Sequence, residues 1–339
     1  MNISFTRVQF MLFMFVAQTG SVFILFQRPF IVAAGRDAWL FFIVISLFHL
    51  GVLLLFERYY PSFQLTKTMS VLYALYWLFV GVTSVSYVDY TLAEWAFPKT
   101  PQFIVVLLMI SISLYCNFCR DEVAINLGVF LIPLIALFIL FLSMAYNDFE
   151  WTYLFPIGTM TKEAVAQSLL KVQYPFIGVE LYLIFRRYIR QDESMKGLPI
   201  FIYHLIWTSF FLFTIMITLL FFPLDKFEAI TEPIMYILKS QQVTFVERLD
   251  LFFIYIWMVW SVITITLFSF TALFTIRQHF QVNPKKLNLA FHTLLFLLPL
   301  FGLTKNGVEN LHVSLLYTHL LFAYILPFIV IFKNRRMQQ

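Results

Sequence analysis

The chain has little charge and few cysteines for its length. Only 12% of its 339 residues are Asp, Glu, Lys or Arg, and it contains two Cys. A soluble domain carries about 25% charged residues, so this composition excludes a soluble enzyme, a disordered protein and a coiled coil. Two Cys cannot build a disulfide framework. With so few Lys and Arg, no face can gather the basic patch that nucleic-acid binding requires.

Polar stretches long enough to fold as a separate catalytic module are also missing. Hydrophobic residues make up 61% of the chain, and 43 residues are Phe. The apolar runs are continuous, unlike the alternating segments of about ten residues that build a β-barrel. We therefore predict an all-α polytopic membrane protein with a single transmembrane domain over residues 1–339. The first apolar run, after Arg7, lacks a small-residue cleavage site, so we expect a signal anchor.

Continuous apolar segments define the predicted spans, since a membrane helix needs about 20 mostly apolar residues. Segment 228–242 is amphipathic and is expected outside the bilayer or at its surface. Lys and Arg are more numerous in the loops on the side of both termini, which predicts cytoplasmic termini. Ten transmembrane helices are predicted, at residues 8–27, 38–56, 70–90, 102–118, 123–146, 165–187, 199–222, 250–277, 287–304 and 310–332.

Ten spans divide into two halves, about residues 1–146 and about 165–333. Because five is an odd number of spans, the second half starts from the opposite side of the membrane. Any structural repeat is therefore a 5+5 inverted repeat. Spans 1 and 6 are then equivalent, and each contains residues that can interrupt a helix. Pro175 removes a helical hydrogen bond and Gly178 loosens the backbone. We predict broken helices 1 and 6, the alternative being that Pro and Gly are simply common in membrane helices.

Five segments along the chain carry a family signature: Ile3-Ser4 with Gln9, Gln18-Thr19-Gly20-Ser21, Leu154-Phe155-Pro156-Ile157-Gly158, Tyr174-Pro175-Phe176-Ile177-Gly178-Val179-Glu180, and Val246-Glu247-Arg248-Leu249-Asp250 followed by Trp257. Together they resemble the B-subunit (GerAB-type) family of bacterial spore germinant receptors, within the amino acid–polyamine–organocation transporter superfamily. The chain departs from that family in two places. Span 1 lacks the usual second small residue and Leu-Pro exit, and span 5 carries no Lys or Arg.

The resemblance implies the inverted-repeat fold of amino-acid transporters, with a midplane pocket lined by spans 1, 3, 6 and 8. It implies a small-molecule nutrient as ligand, with an amino acid expected. The implied protein partners are an A subunit and a lipoprotein C subunit, in the spore inner membrane or the cell membrane. It implies no cofactor, and we expect no nucleic acid.

The candidate ligand-binding residues are polar, aromatic or helix-interrupting residues near mid-depth. Helix N-termini face anionic groups and unwound carbonyls face ammonium groups in such pockets. The alternative is that their hydroxyl groups only join helices. The candidates are Gln18, Thr19, Gly20 and Ser21 on span 1, Tyr76, Val80 and Thr83 on span 3, Tyr174, Phe176, Ile177 and Gly178 on span 6, and Thr264 and Phe268 on span 8.

Two sets of charged residues are candidates for gating or for structure. Glu180 lies well inside span 6, where an ionised acid costs about 2.5–3.5 kcal/mol. It either serves as a gate or protonatable relay, or forms a structural ion pair with Arg187 two turns away. Glu247, Arg248 and Asp250 precede span 8 and form either an interfacial charge cluster, an outer gate or a partner contact.

Catalytic and metal motifs do not emerge from the sequence. Cys116 and Cys119 form a C-x-x-C with no second pair for zinc, and the six His form no metal motif. No nucleophile elbow, P-loop or zincin motif occurs, so we expect no enzyme and no metal. The leading hypothesis is a nutrient-sensing membrane subunit of a germinant receptor. The alternatives are an ion-coupled amino-acid permease and a scaffold that binds no ligand.

Overall fold

The computed structural model describes residues 3–119, 121–241, 248–301 and 304–338. Regular structure in these ranges is helical apart from one isolated β-bridge between Phe5 and Ile189. The α-helices are α1 Arg7–Thr19, α2 Val22–Leu25, α3 Gln27–Ala34, α4 Ala38–Tyr59, α5 Lys67–Trp95, α6 Gln102–Phe118, α7 Asp121–Phe130, α8 Ile132–Ser143, α9 Lys162–Lys171, α10 Leu181–Phe185, α11 Leu198–Phe221, α12 Pro233–Ser240, α13 Leu249–Arg277, α14 Pro284–Leu297, α15 Lys305–His319 and α16 Leu326–Gln338.

Apolar helical stretches dominate the described ranges, and the chain is an integral membrane protein. The predicted span 102–118 is α6, which is apolar but only 17 residues long. The predicted span 287–304 begins as α14 and continues as a 3-10 turn over Leu298–Phe301, while residues 302–303 lie outside the description. Among the described residues, eight stretches are long and apolar enough to cross a membrane: Arg7–Leu25, Gln27–Ser62, Lys67–Trp95, Val123–Asp148, Lys162–Tyr188, Leu198–Phe221, Leu249–Arg277 and Lys305–Arg335. The count of ten spans stays a prediction.

Three regions are less regular than the apolar pattern suggests. Predicted span 5 is interrupted at Leu131, just before Pro133, because proline cannot donate a helical hydrogen bond. The predicted loop after span 1 contains α3, which packs against α9. The last predicted span contains a π-helical turn over Leu320–Ile325, shortly before Pro327.

Both described chain ends lie at the same end of the helices. The Phe5 N–H donates to the Tyr188 carbonyl at 2.8 Å, and Asn334 Nδ2 donates to the Ser62 carbonyl at 2.9 Å. We call this end the terminal end and the opposite one the distal end. At the distal end, the Asp37 carboxylate accepts backbone N–H groups of Gly158, Thr159 and Met160, at 2.7, 2.7 and 3.0 Å.

Helices α5 and α13 form the centre of the bundle. Their aromatic rings meet along the contact, with Trp77 and Phe268 ring centroids 5.2 Å apart and Tyr87 and Trp257 centroids 6.0 Å apart. Lipid chains are as apolar as leucine, so close packing rather than exclusion from water holds such helices together. The interrupted spans 1 and 6 pack beside this central pair: α1 contacts α13, and the Phe185 ring of α10 stacks on Phe270 of α13 with centroids 5.8 Å apart.

Candidate functional site

Span 6 is unwound between α9 and α10. Helix α9 ends at Lys171, a 3-10 turn follows over Tyr174–Phe176, and Ile177 turns away from helical geometry with ψ 121°. Gly178 has φ +104°, a conformation that favours glycine. Its surroundings are also tight, because a Cβ there would lie 3.3 Å from Gln18 Cγ. The break that the sequence predicts in this span is present.

Span 1 is interrupted without being unwound. Helix α1 ends at Thr19 and α2 begins at Val22, while Gly20 and Ser21 keep right-handed helical dihedrals. Helix α13 supplies donors to carbonyl groups at this point. Thr264 Oγ1 donates to the Val16 carbonyl at 3.0 Å. Trp257 Nε1 donates to the Gly20 carbonyl at 3.1 Å.

A small cavity lies between the two interruptions. We call it the inner cavity; its volume is about 10 Å³, which suits about one water molecule. Its lining mixes hydroxyl groups with apolar and aromatic side chains. Six of the predicted ligand-binding residues line it together: Ser21, Val80, Thr83, Tyr174, Ile177 and Phe268.

Other predicted residues lie around the inner cavity without lining it. Their polar groups bond to protein neighbours, and their part in ligand binding stays a prediction. Gln18 accepts a hydrogen bond from the Tyr203 hydroxyl, and Thr19 Oγ1 donates to the Phe15 carbonyl at 2.6 Å. The remaining members of this group are Gly20, Tyr76, Phe176, Gly178 and Thr264.

Six lining residues are absent from the sequence prediction, and three of them carry polar groups: Ser84, Tyr87 and His312. Ser84 and Tyr87 continue the helix face of Val80, at spacings of four and seven residues, so this spacing could have identified them. His312 comes from α15, and the sequence offers no signal that this helix reaches the cavity. Ser84 Oγ accepts a hydrogen bond from Ser21 Oγ at 3.4 Å, which joins spans 1 and 3 at the lining.

A second cavity of about 250 Å³ adjoins the inner cavity on its distal side. We call it the outer cavity. Tyr87, Tyr174 and His312 line both cavities and separate them. The His312 ring centroid lies 5.3 Å from that of Tyr87 and 6.1 Å from that of Tyr174. We call these three side chains the aromatic partition.

Charges of both signs line the outer cavity. Arg28, Lys171 and Lys305 are basic, while Glu232 and Glu309 are acidic. The Arg28 guanidinium lies 4.0 Å from the Glu309 carboxylate, and burial raises the pKa of Glu232. This mixture suits a small molecule that carries both charges.

The charged residues before span 8 pair internally. Arg248 donates to both carboxylate oxygens of Asp250, at 2.9 and 2.7 Å. Asp250 is fully buried, whereas about half of the Arg248 side chain is exposed. Glu247 lies outside the described residues. A local ion pair is therefore present, and its role as an interfacial cluster, an outer gate or a partner contact stays a prediction.

Of the two alternatives for Glu180, the structural ion pair with Arg187 was wrong. The Arg187 guanidinium donates to the Phe63 carbonyl instead. Helix α10 ends at Phe185 and a 3-10 turn follows, so the two-turn spacing that the prediction assumed does not exist. His319 lies beside Glu180 instead, with its Nδ1 4.0 Å from Glu180 Oε2.

A buried ion pair closes the terminal end of span 6. Arg186 Nε and Nη2 donate to the two Glu57 carboxylate oxygens at 2.6 and 2.9 Å, and the Tyr182 hydroxyl donates to Glu57 Oε2 at 2.8 Å. The pair ties α4 to span 6. In the part of the chain that the structure describes, no cluster of three His, Cys, Asp or Glu side chains is placed to hold a metal ion.

Comparison with known proteins points to one family. Residues 3–308 match the profile of the Spore_permease family, described as "Spore germination protein". A curated relative, the spore germination protein GerQB of Bacillus cereus, is 20% identical over 191 residues. That alignment covers 56% of this chain and 52% of the relative, so the chain spans about half the length of that relative.

Proposed function

This chain belongs to the Spore_permease family of spore germination proteins, and from that premise we propose that it is the membrane-embedded subunit of a spore germinant receptor. In this proposal it senses a small nutrient, an amino acid, by binding and not by covalent chemistry. It acts with an A subunit and a lipoprotein C subunit in the spore inner membrane or the cell membrane. Its ten spans form a 5+5 inverted repeat, and both termini are cytoplasmic.

The adjoining cavities between the interrupted spans support this proposal most strongly. The outer cavity offers both charge signs, as recognition of an amino acid requires. The inner cavity offers the hydroxyl groups of Ser21 and Thr83 beside the apolar walls of Val80 and Phe268. Small-ligand sites commonly combine a few placed polar groups with apolar walls.

Cavity size suggests how binding acts. At about 10 Å³ the inner cavity has no room for an amino acid, so the ligand has to favour an arrangement in which the cavity is larger. We propose that the nutrient enters from the outer cavity and displaces the aromatic partition. A ligand that binds the expanded arrangement better shifts the population toward it. That shift is the signal to the partner subunits.

The test is a germination dose-response with purified spores, followed by loss of optical density. Deleting the gene should abolish the response to one nutrient, and the intact gene should restore it. Thr83→Val keeps the side-chain shape and removes a hydroxyl from the inner cavity, so it should raise the half-maximal nutrient concentration about tenfold, as loss of about 1.4 kcal/mol implies. Thr293→Val, on the exposed face of α14, is the matched control.

Two outcomes would contradict the proposal. One is an unchanged response to every nutrient in the deletion strain once parallel receptors are removed. The other is an unchanged dose-response for Thr83→Val at normal protein levels, which would favour a scaffold that binds no ligand.

The second candidate function is an ion-coupled amino-acid permease. Interrupted helices around a central site are a transporter arrangement, and the buried acid Glu180 in span 6 favours ion coupling. Net uptake of an amino acid by the protein alone in proteoliposomes would establish it. Binding without uptake would favour the receptor.

A further inference from the structure

Glu180 and His319 connect two irregular stretches of backbone. Glu180 follows the unwound residues of span 6 and immediately precedes α10. His319 ends α15 and immediately precedes the π-helical turn. Glu180 Oε2 and His319 Nδ1 are 4.0 Å apart. Because π-helical turns inside helices often mark functional sites, this contact between Glu180 and His319 is a candidate functional site.

Both side chains are fully buried and poorly satisfied. Neither Glu180 carboxylate oxygen has a hydrogen-bond partner among the described residues, and His319 Nε2 has none either. An ionised carboxylate only accepts hydrogen bonds, and burying it without donors or a counter-charge is strongly unfavourable. The geometry therefore disfavours an ionised Glu180.

Neighbouring elements offer phenols but no counter-charge. Tyr73 and Tyr76 on α5 and Tyr324 in the π-helical turn lie within electrostatic range of the carboxyl group. The Tyr76 hydroxyl lies 3.3 Å from His319 Nδ1. Tyr73 donates to the Phe322 carbonyl at 2.9 Å.

The basic residue of the turn after α10, Arg186, is already paired with another carboxylate. The Arg186 guanidinium donates two hydrogen bonds to the carboxylate of Glu57 on α4. On the other side of the unwound segment, His49 of α4 meets the Gln18 amide at 3.5 Å. Neither group neutralises Glu180.

We propose that Glu180 and His319 form a binding site for one proton. A proton from solvent forms an O–H bond at Glu180 Oε2, and no protein bond breaks. That O–H donates to Nδ1 of the neutral imidazole once the 4.0 Å separation closes to hydrogen-bond distance. In the tautomer that carries its hydrogen on Nε2, Nδ1 has a single lone pair, so this bond displaces the Tyr76 hydroxyl from Nδ1.

The bound proton thus determines whether His319 hydrogen-bonds to Glu180 or to Tyr76. With the proton, span 6 is joined directly to the end of α15 through a neutral pair. Without it, Nδ1 stays with Tyr76 on α5, whose single hydroxyl hydrogen cannot serve Nδ1 and the carboxylate at the same time. The proton therefore stabilises one packing of the π-helical turn against the break in span 6. This inference rests neither on the nutrient nor on the receptor partners.

Infrared spectroscopy of the full chain in nanodiscs at neutral pH tests the site. Exposed carboxyl groups are ionised there, so a protonated Glu180 gives a carboxylic C=O band that shifts in heavy water. Glu180→Gln should remove one such band. Glu150→Gln, at an exposed loop residue, should remove none. Identical spectra of the parent and Glu180→Gln would overturn the proposal.

Further variants keep the test decisive. His319→Gln should keep the band but move it, because the O–H loses its imidazole acceptor, and an unmoved band would refute the pairing. If Glu180→Gln does not accumulate, this comparison carries the test alone. Added sodium at constant pH should leave the band unchanged. Loss of the band on sodium addition would overturn the proposal, because it would show that the site binds a metal cation in place of the proton.

Discussion

Gly20 and Thr264 lie so close that a Cβ on Gly20 would overlap the Thr264 hydroxyl group. Gly20 has φ −40° and ψ −67°, which any residue can adopt, so the glycine is required by space and not by conformation. Small residues at helix crossings let backbones approach closely. This approach brings Thr264 Oγ1 within 3.0 Å of the Val16 carbonyl, so that α13 donates a hydrogen bond to the backbone at the interruption of span 1.

Gly20→Ala should therefore destabilise the protein. Overpacking of this kind costs about 1–3 kcal/mol, and thermal unfolding of the purified chain in detergent measures it. Adding Thr264→Ala should recover part of the loss, because Oγ1 disappears while Cβ remains. Gly51→Ala on α4 is the matched control, since a Cβ there meets nothing within 4 Å. Equal melting temperatures for Gly20→Ala and Gly51→Ala would refute the close contact.

Trp257 and Trp260 allow the hydrogen bond to the interruption to be measured apart from ring packing. Both are fully buried on α13, but only the Nε1 of Trp257 donates to the Gly20 carbonyl, while that of Trp260 has no acceptor among the described residues. Trp257→Phe should be less stable than Trp260→Phe by about 1–3 kcal/mol, because it leaves a buried carbonyl unpaired. The comparison uses the same unfolding assay. Equal stability of the two variants would show that this bond contributes nothing.

Local sequence features predicted much of the fold. Apolar runs bounded by polar residues define helices directly, and α6 matches the predicted 102–118 at both ends. Pro175 and Gly178 predicted the break in span 6 because their effects on the backbone are local. The six predicted residues at the inner cavity came from the resemblance combined with helical spacing. Periodicity alone could not have separated them from residues that only join helices.

Contacts between distant segments could not be predicted. Pairing of Glu57 with Arg186 joins residues 129 positions apart, and no spacing rule selects one arginine of Arg186-Arg187 over the other. The Glu180 partner was missed because the prediction assumed a continuous helix across a region that unwinds. His312 and His319 were missed because helical periodicity gives neither the depth of the last span nor the elements that its faces meet.

Glu57→Gln should weaken the terminal end of span 6 severely. It removes the charge that balances the buried Arg186 guanidinium, and breaking one partner of a buried pair costs about 3–5 kcal/mol. Chemical or thermal unfolding in detergent reports the loss. Asp225→Asn is the control, because Asp225 and Lys226 form an exposed pair 3.7 Å apart that contributes about 0–1 kcal/mol. A Glu57→Gln variant as stable as this control would rule out a structural role for the buried pair.

Glu232 should make stability depend on pH. Burial raises the pKa of this carboxyl group above its ordinary value of 4.5, so the folded state binds more protons than the unfolded state just above that value. Its contribution to stability is therefore full below the ordinary pKa and is lost as pH rises through the folded pKa. Melting temperatures of the parent and of Glu232→Gln between about pH 4 and pH 8 measure this, and the variant should lack the decline. Trp95 Nε1 donates to the carboxylate at 3.1 Å, so Trp95→Phe should move the decline to higher pH. Parallel profiles for the parent and Glu232→Gln would show that this carboxyl group titrates alike in both states.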